Sequence, residues 1–400
     1  MTMGFLDLPL QALRRDEIPG RYDRGMFAAA LALALFGVVM VASSSIAVAE
    51  SEGGSPYHYL IKHVIFLAMG ASLGIGFALT PLAWLERHAR LFLLLAVLLL
   101  VAVFLPGVGV RVNGAKRWLR LGISNFQAVE AVKLFVIIWL ASYLVRFRGE
   151  VQHAFKGTMK PLFVAGLVVV LLLKQPDFGS ASLILAIVLG MIWLGGARAR
   201  DLMGLAAATM PVMAWAALSE SYRVKRLTSF LDPWKDPFND GFQLTQALIA
   251  IGRGEWFGVG LGGSIQKLFY LPEAHTDFIL AVIAEELGLF GVCLVVGLFM
   301  WLCGRMFLVG RRAEERGLGF AAYVVYGIAV WLSVQATVSI GVNLGLLPTK
   351  GLTLPLISSG GSSLLMTCAA IGLALRVSYE LTRHEAVSAV TPDAGGRDER

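Results

Sequence analysis

Ten stretches of the chain are apolar over most of their length, near residues 26–48, 60–80, 91–106, 127–146, 161–174, 179–196, 202–218, 276–302, 318–342 and 361–381. A helix needs about 20 mostly apolar residues to cross the hydrocarbon layer of a bilayer. The pattern therefore predicts an all-α polytopic membrane protein with ten transmembrane helices, and an even number puts both termini on one side. Between the seventh and eighth stretches, residues 219–275 form a large outer loop rich in glycine, with Trp234, Phe238, Phe242, Trp256, Phe257, Phe269 and Tyr270. That much aromatic surface predicts compact structure on the membrane rather than disorder. Polar ends flank the membrane domain of 26–382: an N-terminal segment, 1–25, and a tail, 383–400, for which no structure is expected. The charges before the first apolar run lack the short apolar core and cleavage site of a signal peptide, so insertion through the first helix is expected.

Composition agrees with the pattern: 57% of the 400 residues are hydrophobic and 15% charged, with a mean hydropathy of +0.73, far outside the soluble range. Orientation comes from the basic residues of short loops. Arg14, Arg15, Arg21 and Arg24 precede the first helix; Arg87 with Arg90, Arg146 with Arg148, Arg198 with Arg200, and Arg305, Arg311, Arg312 and Arg316 mark alternate turns. Both termini are therefore expected in the cytoplasm, with membrane lipid as a partner and no nucleic acid. Cys293, Cys303 and Cys368 lie inside apolar runs without metal-ligand spacing, and no disulfide is expected.

Ionisable residues inside spanning segments mark pathways or sites. Glu130 and Lys133 lie three residues apart on one helical face, where they can pair; the pair either fixes packing or presents a lysine to an anion. Lys174, Gln175, Pro176 and Asp177 interrupt two apolar runs at the outer side. The segment 342–365, with two prolines, Lys350 and a run of serines and glycines, predicts non-helical chain dipping toward the membrane, tolerable only against protein or a wet cavity. In LPEAHTDFILAVIAEELG (271–288), Thr276 is expected to cap a helix starting at Asp277. Ala281, Ala284 and Gly288 would form a small-residue packing stripe, with Glu285 and Glu286 about 12 Å deeper. Asp277 at the rim and His275 beside it are competing candidates for a general base. A helix N-terminus lowers a carboxylate's pKa, which disfavours Asp277 unless burial raises it.

These runs carry a resemblance. LPEAHTDFILAVIAEELGLFG, FLDPWKDPFNDGFQLTQALIAIGRG, QPDFG, GAKRWLRLG with FQAVEAVK, and LLPTKGLTLPLISSGGSS resemble the SEDS family of bacterial cell-wall proteins over residues 26–382. PTKGLTLPLIS and SSSIAVAE are similar to the branch that serves division rather than elongation. Two motifs depart from the family: its QPSE is QAVE before Glu130, and its SYGGS is SSGGS, with Ser359 replacing tyrosine.

The resemblance implies a peptidoglycan glycosyltransferase that polymerises lipid II, a disaccharide-pentapeptide on undecaprenyl diphosphate, at the outer face of the plasma membrane during septum formation. It implies Asp277 as the essential aspartate, with Glu130, Lys133, Gln175 and Asp177 as family positions. Lys133, Arg117, Lys116 and Lys350 would bind phosphate, with a divalent cation (Mg or Mn) as a candidate cofactor and His275 close by. Implied partners are a class B penicillin-binding protein, the cognate transpeptidase, and other division proteins. A lipid II flippase and a non-enzymatic division scaffold are the competing classes. The flippase would need polar groups continuing to the cytoplasmic side, whereas here they cluster outside.

Overall fold

A computed structural model describes residues 18–51, 55–112, 114–120 and 125–390. Fourteen helices are found among them: α1 (Arg24–Ser51), α2 (His58–Leu79), α3 (Leu82–Arg87), α4 (Ala89–Ala102), α5 (Ala128–Arg146), α6 (Arg148–His153), α7 (Phe155–Lys174), α8 (Phe178–Leu194), α9 (Ala199–Leu218), α10 (Ser221–Leu231), α11 (Phe242–Gly254), α12 (Ile279–Glu315), α13 (Gly319–Asn343) and α14 (Gly361–Val390). Eight are long and apolar enough to cross a membrane, and α4 and α8 are shorter apolar helices. Each of the ten apolar stretches thus carries one helix. Buried α5 and α13 form the centre, around Trp331, while α2 and α9 leave most of their surface outside the protein.

The all-α expectation is corrected by a three-stranded antiparallel sheet, β1 (Gly109–Val112), β2 (Ala115–Arg120) and β3 (Asn125–Gln127), in that order. Val112 pairs with Ala115 around a tight turn with Gly114 at φ 79°, a backbone region glycine enters without penalty. Alternation along β2 buries Ala115 and Leu119 and leaves Arg120 outside; Leu119 packs on Val103 and Ala128, which ties the sheet to α5. The tail is also corrected in part. α14 continues helically to Val390; residues 391–400 of the tail, and 1–17 with Arg14 and Arg15, lie outside the described residues.

The largest correction concerns α12. It starts at Ile279, not Asp277, and Thr276 does not cap it; the Thr276 hydroxyl turns back to Glu273 Oε2 at 2.6 Å. The helix breaks at Gly288 (φ 65°, ψ −162°). In an unbroken helix, Leu289 and Phe290 would donate to the carbonyls of Glu285 and Glu286. Instead all four groups bond to the outer segment: Val259 N to Glu285 O at 2.9 Å, Gly260 N to Glu286 O at 3.0 Å, Leu289 N to Glu255 O at 2.9 Å and Phe290 N to Trp256 O at 3.2 Å. Buried backbone polar groups must be paired, so the outer segment completes the helix it interrupts. A Cβ on Gly288 would lie 2.5 Å from Gly258 N. The expected small-residue contact at Gly288 is therefore backbone against loop.

The two glutamates anchor the same segment, and both are fully buried. Glu285 accepts from Arg253 Nη1 (2.6 Å), Ile265 N (3.0 Å) and the Ser264 hydroxyl. Glu286 accepts from Lys267 Nζ (2.7 Å) and from Ser43 Oγ of α1 (2.8 and 2.7 Å). Further along α12, Arg305 pairs with Asp23, the residue before α1. Nineteen residues separate Arg305 from Glu286 along α12, about 28 Å at 1.5 Å per residue. That is close to the thickness of the hydrocarbon layer of a bilayer.

Candidate active site

Asp277 sits in the non-helical turn before α12, partly buried. Burial above all, with the Glu273 carboxylate adding, pushes its carboxyl up to about 7, while Arg226 pulls the other way. The lowering expected from a helix N-terminus is thus overridden by desolvation. The chain of Gly351 passes so close that a Cβ there would lie 3.1 Å from Asp277 Oδ2.

Gly351 also belongs to the wall of a cavity of about 240 Å³. Four basic side chains line it, Arg117, Arg223, Arg226 and Lys350, against one carboxylate, Asp177. Arg117 comes from β2 and donates through Nε to Gln175 O at 3.2 Å and through Nη2 to Pro176 O. Arg223 and Arg226 project from α10; Arg223 Nη1 donates to Ala216 O and Arg226 Nη1 to Thr349 O at 3.4 Å. Phe178 packs with two of these cations, Lys350 Nζ 4.8 Å and Arg223 Cζ 5.7 Å from its ring centre. Burial holds Lys350 below the ordinary lysine range, against the attraction of Asp177. Asp177 caps α8 by accepting from Ser180 N (3.1 Å) and Ser180 Oγ (2.8 Å). Confined cations in such excess over carboxylate favour an anion with more than one charge.

The remaining predicted site residues lie around this cavity rather than in its wall. Lys133 is 1% exposed and fully engaged: it pairs with Glu130 at 2.8 Å, donates to Gln335 Oε1 at 2.9 Å and stands 4.6 Å over the Trp331 ring. Gln335 Nε2 in turn donates to Thr353 O at 2.9 Å. The Glu130–Lys133 pair therefore braces α5, α13 and the loop that carries Lys350. Gln175 is buried and donates to Leu100 O at 3.0 Å. Lys116, adjacent to Arg117 on the alternating strand, reaches Phe104 O at 3.3 Å instead. His275 packs its ring 4.7 Å from that of Tyr59 on α2. Arg223 and Arg226 were not singled out from the sequence. Their i, i+3 spacing in SYRVKRL, which places them on one face of a helix, was the available signal.

Among the described residues, no three His, Cys, Asp or Glu side chains converge; a magnesium ion shared with a substrate phosphate needs only one or two carboxylates. The candidate chemistry here is a carboxylate that can hold or release a proton near neutrality, beside a cationic cavity.

Comparison with known proteins gives a consistent picture. Residues 23–383 match the model of the FtsW, RodA and SpoVE family, described as "Cell cycle protein". The chain is 55% identical over 379 residues to a probable peptidoglycan glycosyltransferase FtsW of Xanthomonas oryzae pv. oryzae, covering 95% of this chain and 77% of that one. To the probable peptidoglycan glycosyltransferase FtsW of Thioalkalivibrio sulfidiphilus it is 50% identical, covering 90% of each. Its fold resembles a chain from "Structural coordination of polymerization and crosslinking by a peptidoglycan synthase complex" (TM-score 0.74, 31% identity, 90% of this chain and 98% of that one). It also resembles the rod shape determining protein RodA of Thermus thermophilus (TM-score 0.65, 27% identity, 89% and 96%).

Proposed function

We propose a mechanism from one premise: the chain belongs to the FtsW, RodA and SpoVE family of cell cycle proteins. It is a multi-pass membrane peptidoglycan glycosyltransferase of cell division. The substrate we assign is lipid II, whose diphosphate would occupy the cavity of Arg117, Arg223, Arg226 and Lys350.

In the reaction, an acceptor sugar hydroxyl attacks the anomeric carbon of the donor. Its proton passes to the Asp277 carboxylate, the new glycosidic bond forms, and the bond to the diphosphate oxygen breaks. The four cations stabilise the charge that collects on the leaving diphosphate. A base is matched to neutral pH when its pKa lies near 7, and this is the observation that carries the assignment: burial places Asp277 there, one glycine from the cationic cavity. Direct displacement needs no covalent nucleophile, and a diphosphate held by cations departs without a general acid, so one carboxylate suffices where inverting glycoside hydrolysis uses two. Lys133, Glu130 and Gln175 act by holding the cavity's walls.

The same reading sets ten spans with both termini in the cytoplasm, the cavity facing outward and the protein at the septum. A class B penicillin-binding protein is the partner we assign, because the outer segment shows Trp256 (70% exposed) and Phe257 (85%) to the outside. Inorganic pyrophosphate should compete with lipid II in a polymerisation assay on the full chain with its partner, and Lys350→Met should weaken that competition. Inhibition equal in both proteins would remove the diphosphate from this cavity.

A further inference from the structure

Three consecutive carbonyls carry the chain into Asp277, and each accepts a hydrogen bond from α13 or the loop that follows it. His275 O accepts from Ser359 N at 3.0 Å, Thr276 O from Ser358 Oγ at 2.6 Å, and Asp277 O from Asn343 Nδ2 at 2.9 Å. Ser358 Oγ also accepts from Leu354 N at 2.8 Å, so its hydroxyl proton is directed at Thr276. Asn343 is fully buried at the last residue of α13. Its second amide hydrogen goes to Ser339 O at 2.8 Å, and its Oδ1 accepts from Ala281 N at 3.1 Å.

The amide has one workable orientation. Reversed, it would set an oxygen against two carbonyls and an N–H against an N–H. Ala281 is the third residue of α12, and its N–H is shared between Asn343 Oδ1 and the carbonyl of Phe278, three residues back, at 3.0 Å. Asn343 therefore does two things with one side chain: it caps α12 across space, in place of the Thr276 cap that is not formed, and it fixes the backbone of Asp277. The clamp belongs to the chain segment that carries Lys350 and Gly351. Through it, the position of the Asp277 carboxylate is set relative to the cavity wall.

The geometry points to Asn343, seconded by Ser358, as a positioning residue that holds Asp277 in register with the Lys350 loop for proton transfer. This rests on Asp277 as the base. A misplacement of about 1 Å is enough to lower a rate about 100-fold, and a clamp on the backbone acts on the chemical step rather than on substrate binding, to which Asn343 contributes no surface in the cavity.

The test uses the full chain with its partner transpeptidase, lipid II as substrate, and Asn343→Leu, Asn343→Asp, Ser358→Ala and Asp277→Asn side by side, each checked for folding by size exclusion and thermal midpoint. Asn343→Leu should lower kcat about 10- to 100-fold with KM within about 2-fold. Asn343→Asp keeps the acceptor for Ala281 N, loses the donor to Asp277 O and adds a like charge facing the turn already shared with Glu273. It should also move the acidic limb of the pH–rate profile upward, which loss of packing would not do. If both Asn343 variants fail to fold, Ser358→Ala decides, with a several-fold fall in kcat at unchanged KM. Wild-type kcat and an unmoved acidic limb in the folded Asn343 variants, or wild-type kcat in Ser358→Ala where those do not fold, overturn the inference alone if Asp277→Asn is inactive. An active Asp277→Asn overturns the assignment of the base itself.

Discussion

Gly351 stands against Asp277 with room for a hydrogen and little more: a Cβ there would lie 3.1 Å from the carboxylate Oδ2. Its φ is not in the left-handed region, so the backbone tolerates a side chain and only the contact objects. Gly351→Ala should therefore fold normally, with stability changed by no more than about 1 kcal/mol, while kcat falls about 10-fold as the carboxylate is displaced. Steady-state polymerisation kinetics beside a thermal melt check both halves.

The raised carboxyl of Asp277 predicts two pH effects of opposite sign. As a base it must be ionised, so the rate should rise with pH through about 7. Stability runs the other way. The folded value lies above the ordinary aspartate value of 3.8, so folding favours the protonated form; this contribution is complete below about pH 4 and is lost as pH rises through about 7. Asp277→Asn should thus melt higher than wild type above pH 7, with the difference shrinking toward pH 4. Thermal midpoints of both proteins across pH 4–8 in one detergent measure it.

Breaking the anchor between the outer segment and α12 should be expensive. Lys267 is nearly enclosed and Glu286 wholly so, and removing one partner of a buried pair typically costs about 3–5 kcal/mol. Lys267→Met should destabilise on that scale and expose the segment around Gly258 and Gly260 to proteolysis. The double variant Lys267→Met with Glu286→Leu should recover much of the loss, because the uncompensated charge is gone. A double-mutant cycle from equilibrium unfolding gives the coupling.

Substrate affinity should depend on the cavity cations rather than on the buried lysine behind them. Lys350→Met should raise KM for lipid II about 10-fold, the loss of one charge-assisted contact. Lys133→Met should instead act through stability, since that lysine touches Glu130, Gln335 and Trp331 and not the cavity. Comparing KM with melting temperature in the two variants separates the roles.

The membrane helices were legible because the length of an apolar run is itself the physical requirement for crossing; all ten runs carry helices. The sheet was not read, although Asn113-Gly114 between alternating residues is a recognised hairpin signal. The break at Gly288 lay beyond reach because its cause is distant: the groups that satisfy Glu285 and Glu286 come from Arg253, 32 residues away, from Val259 to Lys267, and from Ser43 of α1. The setting of Asp277 left it level with His275, and only the family resemblance favoured it; the clamp of Asn343, 66 residues on, left no sequence signal. Contacts that depend on the return of a re-entrant loop leave no local periodicity to find.

As the proposed base, Asp277 accepts the proton of the attacking hydroxyl. Polymerisation of lipid II by the full chain with its partner transpeptidase, wild type against Asp277→Asn, tests it most directly, with lipid II binding measured on the same preparations. Glycan strands should vanish in the variant, a loss of at least about 100-fold from removing a general base, while binding stays within a few-fold of wild type. Strand formation by folded Asp277→Asn at the wild-type rate would exclude Asp277 as the base.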